Sequence, residues 1–225
     1  MPFWALLFSC GDKSSDSATE TPSFEAQVTM LSLNDRPQIE ISVRSDFDNI
    51  ERFTEEDGTV SLPVEANAPF TLTALENNSL QHRYVGYTTT RNFALDALFL
   101  DRGTWISLLG NMGLNDESRH GHLWVSVVNP NFLPIPNATV TLQDSPSEDP
   151  FVLLETNVPW STNTIDPTGK PIVFFPNILP QEVSIQVDTP NDMTCVPFVD
   201  NSEDINNTTI SIYANTATIL WFVCQ

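Results

Sequence analysis

The sequence predicts an all-β protein of two tandem, seven-stranded Greek-key β-sandwiches joined by a short helical connector. Three observations predict it. Apolar and polar residues alternate with period two along most of the chain, 17 prolines and many Asp, Asn and Gly turns break that alternation at short intervals, and a strand-and-turn pattern of the first half returns in the second. At 225 residues the length suits two modules of about 100 residues each. With 40% hydrophobic and 10% aromatic residues there is enough apolar side chain for a packed interior.

Residues 1–25 come first. Met1 to Ser9 (MPFWALLFS) is almost wholly apolar, too short for a membrane span of about 20 residues but suited to a signal h-region. Leu7, Phe8, Ser9 and Cys10 resemble the lipobox of bacterial lipoprotein signals. That resemblance implies cleavage before Cys10 and a diacylglycerol-bearing thiol there, hence a membrane partner through the lipid. Asp12 to Glu25 reads as a polar tether. With Cys10 assigned to lipid, Cys195 and Cys224 remain as an even pair in a compartment where disulfides persist. Their alternative is two buried free thiols.

Residues 26–100 form the first expected module. Gln38 to Val43 and Phe70 to Ala74 alternate, as do Trp124 to Val127, Ala138 to Leu142, Val183 to Val187 and Ile210 to Tyr213 in the second, residues 122–225. Apolar residues on one face and Ser, Thr or Gln on the other predict half-buried antiparallel strands. The repeat aligns Pro37, with Ile39, Ile41 and Val43 behind it, on Pro136, with Ala138, Val140 and Leu142. Asp57-Gly58 before Val60 and Leu62 likewise matches Asp166 to Gly169 before Ile172 to Phe175. Between the modules, residues 101–121 open with DRGTWISLLGNMGL, which suits a short amphipathic helix with Thr104 as N-cap and Gly113 as its stop.

The order of strands, Pro-ended loops and Asp-type turns resembles the carboxypeptidase regulatory-like domain, a transthyretin-like sandwich. Asn129 to Val187 carries most of the likeness, with Pro136-Asn137-Ala138-Thr139-Val140 at its centre. The resemblance implies an accessory, non-catalytic sandwich, and no cofactor is expected.

Composition narrows the partners. Against 29 acidic residues stand 9 basic ones, a formal charge of −20 that repels nucleic acid and anionic headgroups. No His-x-x-Glu, HExxH, Gly-x-Ser-x-Gly or Gly-rich phosphate loop is present. His120 and His122 sit near Asp116 and Glu117, a set of the kind that binds zinc or copper, but they are read as surface histidines. Asp200 and Asp204 belong to the best of several acidic loops for calcium, with a solvated turn as the alternative. Asn77, Asn137, Asn206 and Asn207 begin Asn-x-Ser/Thr triplets, read as coincidence beside a bacterial-type signal. Trp160, in the insertion Phe151 to Asn163 that the first module lacks, is either a core or loop anchor or a stacking surface for a ligand.

The expected function is a non-catalytic, exported lipoprotein of the cell envelope whose two modules bind or space, with an unidentified protein or glycan as partner. A carbohydrate-binding sandwich and a structural subunit pairing through edge strands are the alternatives.

Overall fold

Period-two alternation becomes strand wherever one face of the segment finds a core, and it does so along most of this chain. The structure, a computed structural model, describes residues 23–75, 80–88, 92–143, 148–190, 193–197 and 207–225. In the first half run β1 (Ser23–Leu31), β2 (Ser42–Ser45), β3 (Glu51–Phe53), β4 (Thr59–Glu65), β5 (Pro69–Leu75), β6 (Gln81–Tyr87) and β7 (Phe93–Leu98). Helix α1 (Arg102–Asn111) follows. The second half holds β8 (Gly121–Val128), β9 (Thr139–Gln143), β10 (Phe151–Leu153), β11 (Pro159–Ser161), β12 (Ile172–Ile178), β13 (Glu182–Asp188), β14 (Cys195–Pro197), β15 (Asn207–Ser211) and β16 (Thr216–Cys224). The first strand starts at Ser23, so the polar stretch expected to reach Glu25 gives way to sheet slightly earlier.

The strands form three layers. A central ten-stranded sheet has the order β11-β10-β12-β8-β16-β6-β5-β2-β3, with β14 on β16. One three-stranded sheet, β4-β1-β7, and another, β15-β13-β9, complete the layers. Two apolar clusters separate them. The first joins Val28 and Met30 of β1, Leu62 of β4 and Leu95 of β7 to Leu72, Tyr84, Trp124, Phe174 and Ile219 of the central sheet. The second joins Val140, Ile185 and Ile210 to Leu123, Val125, Phe175, Leu220 and Phe222 from the central sheet's other face. Neighbouring residues such as Phe174 and Phe175 therefore enter different cores.

The two expected modules are joined by more than the helical connector. The last strand, β16, lies between the halves and pairs in parallel with β6 on one side and β8 on the other. The halves thus share a sheet instead of meeting only through a connector. Because β8, β12 and nearly all of β16 are covered on both faces, they are buried along their length. Trp124 to Val127 is consequently no half-exposed strand, and the run Ile219 to Val223 is the continuous apolar stretch of a strand packed on both sides.

The internal repeat survives in the hydrogen bonds, with a shifted register. The turn after β1 has Asp35 N–H donating to Ser32 O, Ser32 N–H to Arg36 O and Gln38 N–H to Met30 O. The turn after β8 repeats them as Phe132 to Asn129, Asn129 to Leu133 and Ile135 to Val127. Asp35 and Phe132 share a left-handed φ, 55° and 59°. The bridges Leu31 to Pro37 and Val128 to Pro134 make Pro134, not Pro136, the counterpart of Pro37. Likewise β1 pairs antiparallel with β4 and parallel with β7, as β8 does with β12 and β16. Within Gln38 to Val43 only Ser42 and Val43 are strand; Glu40 takes φ 59° and Ile39 turns out to solvent.

Helix α1 roofs the central sheet. Its N-cap is Asp101 rather than Thr104: Asp101 Oδ1 accepts the Thr104 N–H at 2.9 Å and its Oδ2 the Thr104 hydroxyl at 2.6 Å. Gly113, at φ 73°, follows the last turn in the left-handed conformation that ends a helix. Among the described residues no helix is long and apolar enough to cross a membrane.

Candidate functional site

Where a sheet face is only partly roofed a cleft is left, and the central sheet is roofed by two separate elements. The β4-β1-β7 sheet covers the first-half strands. Over β8 and β12, α1 supplies Trp105, whose ring lies 5.4 Å from that of Trp124 and 6.3 Å from that of Phe174. A cavity of about 470 Å³ remains over β8, β12 and β16, within the usual range of ligand pockets.

The floor of this cleft is Ser126 and Val128 of β8, Ile172 of β12, and Ile219 and Trp221 of β16. Its wall is β7, through Ala94, Asp96 and Leu98. The two repeated turns supply the rims, Ser32 and Asp35 from the first, Asn131 and Phe132 from the second. Both rims come from the same element of the repeat, so the cleft belongs to the seam between the halves.

Two contacts brace the seam. Lys170 Nζ lies 2.5 Å from Asp35 Oδ1. Asn157 Nδ2, between β10 and β11, donates to Asn34 Oδ1 at 3.1 Å. Lys170 is the basic residue of the lining and is engaged by Asp35, while Asp96 is exposed with no cation beside it among the described residues. The mouth is therefore weakly acidic over an apolar, aromatic floor.

A second polar cluster sits under α1. The His122 side chain, at the start of β8, is fully buried, and that of His120 is 20% exposed. The reading of both as surface histidines is thus corrected: β8 is a central strand, so its first side chains are already roofed. Asn177, held at φ 51° where β12 bulges, donates its backbone N–H to His122 Nδ1 at 3.2 Å. The ring's Nε2 faces Asp116 Oδ1 at 3.4 Å. The Trp105 indole lies edge-on to the same imidazole, with Nε1 3.3 Å from Nε2.

Arg102 of α1 reaches Asp116 at 2.9 Å, and His120 Nδ1 reaches Glu117 at 2.8 Å. Desolvation lowers the His122 pKa against the pull of Asp116, while the hydrogen bond to His122, helped by Arg102, lowers that of Asp116. His82, fully buried on β6, donates from Nδ1 to Leu80 O and accepts at Nε2 from the Leu100 N–H. Burial drives its pKa down to about 3. Asp116 and Glu117 do stand beside the histidines, and the ion pair of Asp116 with Arg102 pins α1 and its following loop to the sheet. Among the described residues no group of three His, Cys, Asp or Glu is placed to hold a metal ion.

Of the other sequence candidates, Cys195 and Cys224 are disulfide-bonded across β14 and β16, where they sit directly opposite. Trp160 is 61% exposed on β11, the outermost strand of the central sheet, and is not part of the cleft. Its insertion is a two-stranded hairpin that continues the sheet, not a loop. Cys10, Asn77, Asp200, Asp204 and Asn206 lie outside the described residues. The cleft itself is absent from the sequence-based expectations. Its one available signal is Lys170, the chain's sole lysine beyond Lys13, placed next to the Asp166 turn.

No protein-family model matches the chain, and no curated protein matches it by sequence. Among solved structures it is similar to the Bacillus anthracis TIE protein, at 12% identity and TM-score 0.29 over 90% of this chain, which spans about a third (34%) of that protein's length. It is also similar to GBS52, the minor pilin of Streptococcus agalactiae, at 9% identity and TM-score 0.30, covering 89% of this chain and 95% of that one. A third is CBMbc, a family CBM26 module of Eubacterium rectale Amy13K solved with maltoheptaose, at 10% identity and TM-score 0.33, covering 91% and 96%.

Proposed function

We propose that the protein is an exported, non-catalytic binding module of the cell envelope, tethered by lipid at Cys10, that holds its ligand in the cleft at the seam of two tandem transthyretin-like halves. The cleft carries this reading. There a concave, largely apolar surface meets polar side chains with no partner among the described residues, those of Asp96 and Asn131 at its mouth. The polar groups under α1, by contrast, are already paired with one another. Export is supported by the Cys195–Cys224 disulfide, a bond that persists in oxidising compartments.

Two measurements test the proposal separately. Labelling with a palmitate analogue, lost in Cys10→Ala, tests the tether; label retained by that variant would remove it. A Trp221→Ala variant tests the site, because its floor would lose the largest ring, and a ligand bound equally well by both proteins would place binding elsewhere. A second reading, carbohydrate recognition at the edge hairpin, is favoured by the exposed ring of Trp160. A glycan array on which Trp160→Ala binds as well as the parent would exclude it.

A further inference from the structure

We infer that the seam cleft takes an extended peptide segment, apolar at alternate positions and carrying Lys or Arg, as an added strand on the outer edge of β7. The inference rests on the cleft being the binding site.

Strand β7 is an edge strand, paired in parallel with β1 alone among the described residues. In such a pair alternate residues point their backbone groups at the partner, and the rest point away. Phe99 N–H donates to Leu31 O at 2.8 Å, so the odd-numbered residues face β1. Leu98 O instead accepts from the Tyr84 hydroxyl at 2.8 Å, and Leu100 N–H donates to His82. The even-numbered residues therefore face outward. Ala94 and Asp96, which have this parity, line the cleft, and no strand pairs with them on that side among the described residues.

The second half displays what this kind of edge accepts. Its counterpart of β7 is β16, which holds β8 as β7 holds β1. On its opposite edge β16 receives β6 in parallel, Thr216 to Leu220 against Gln81 to Val85. The corresponding edge of β7 is left open over the cleft among the described residues.

The floor and the charge describe the segment. A strand laid about 4.8 Å beyond β7 turns alternate side chains toward the layer below, here Ile219, Trp221 and Val128, which asks for apolar residues at those positions. The intervening side chains share a face with Asp96, whose carboxylate lacks a cation among the described residues, and a formal charge of −20 favours a basic partner over an acidic one. Backbone pairing to an edge with alternate pockets beneath it is an established mode of peptide capture.

The test is selection from a phage library of random seven-residue peptides on the full chain, followed by affinity measurement of the selected peptides on variants. Ala94→Pro removes one outward N–H and leaves the bonds to β1 intact, a change that edge strands tolerate. The expected result is peptides of alternating apolar and basic residues, bound about tenfold or more weakly by Ala94→Pro. Selection on Asp96→Lys is expected to exchange Lys and Arg for Asp and Glu, an outcome that holds even if Ala94→Pro does not fold. Peptides that ignore both substitutions but are lost in Trp221→Ala would overturn the added strand and leave the cleft as a site. Peptides that ignore all three, or a library that yields none, would overturn both. Sedimentation showing a dimer that Ala94→Pro dissociates would assign the edge to a second copy of this chain and overturn the partner peptide.

Discussion

At the residue scale, the tightest demands fall where α1 and the loop after it press on the central sheet. His82 and His122 are held neutral there, each pKa lowered from 6.5 chiefly by burial, that of His82 to about 3. Unfolding returns them to solvent, so between pH 6.5 and 3 the unfolded chain binds more protons than the folded one. Stability should therefore fall with acidification across that window, by about 1.4 kcal/mol per pH unit for His82 alone. Asp116 acts in the same sense lower down, since its lowered pKa contributes stability above 3.8 that is lost as the pH falls through the folded value. Urea titrations at about pH 7 and pH 5 check the slope, and His82→Gln should reduce it by about one proton. Gly121 is equally constrained: a Cβ there would run into the Tyr213 carbonyl and the Ile212 side chain. Gly121→Ala should cost roughly 1–3 kcal/mol of unfolding free energy, read by the shift of the urea midpoint.

At the element scale, helix α1 depends on its cap and on one ring, that of Trp105. The Asp101 carboxylate satisfies the Thr104 N–H, so Asp101→Ala should destabilise by about 1 kcal/mol, measured by thermal melting beside a neutral surface control. The disulfide closes a separation of 29 residues and fastens β14 to β16. Replacing both cysteines with Ala should lower stability by roughly 3 to 4 kcal/mol, seen as an earlier denaturant midpoint. These elements also show which features local sequence encodes. Strands β5, β9 and β13 keep one face toward water, so their alternation is visible in the sequence, and Gly113 marks the helix end. Asp101 is hard to single out as the cap because Thr104, three residues on, is also a common capping type. The hairpin around Trp160 leaves no alternation to read, because β10 and β11 are only 3 residues each.

On the scale of the whole molecule, the repeat is legible and its assembly is not. Turn chemistry recurs locally, so Asp57 and Asp166 announce equivalent turns, each bonding the Thr two residues on. The pairing of β16 with β6 joins residues far apart in sequence and leaves no local trace beyond the unbroken apolar run at Ile219 to Val223. That pairing is also what makes the cleft, since its floor is β8, β12 and β16 and its wall is β7 from the other half. The two halves therefore form one body on a shared sheet. Equilibrium urea unfolding of the full chain, followed at once by tryptophan fluorescence and far-ultraviolet circular dichroism, tests this most directly. The shared sheet predicts a single transition with coincident midpoints, whereas two separated transitions would show halves that fold independently and would contradict it.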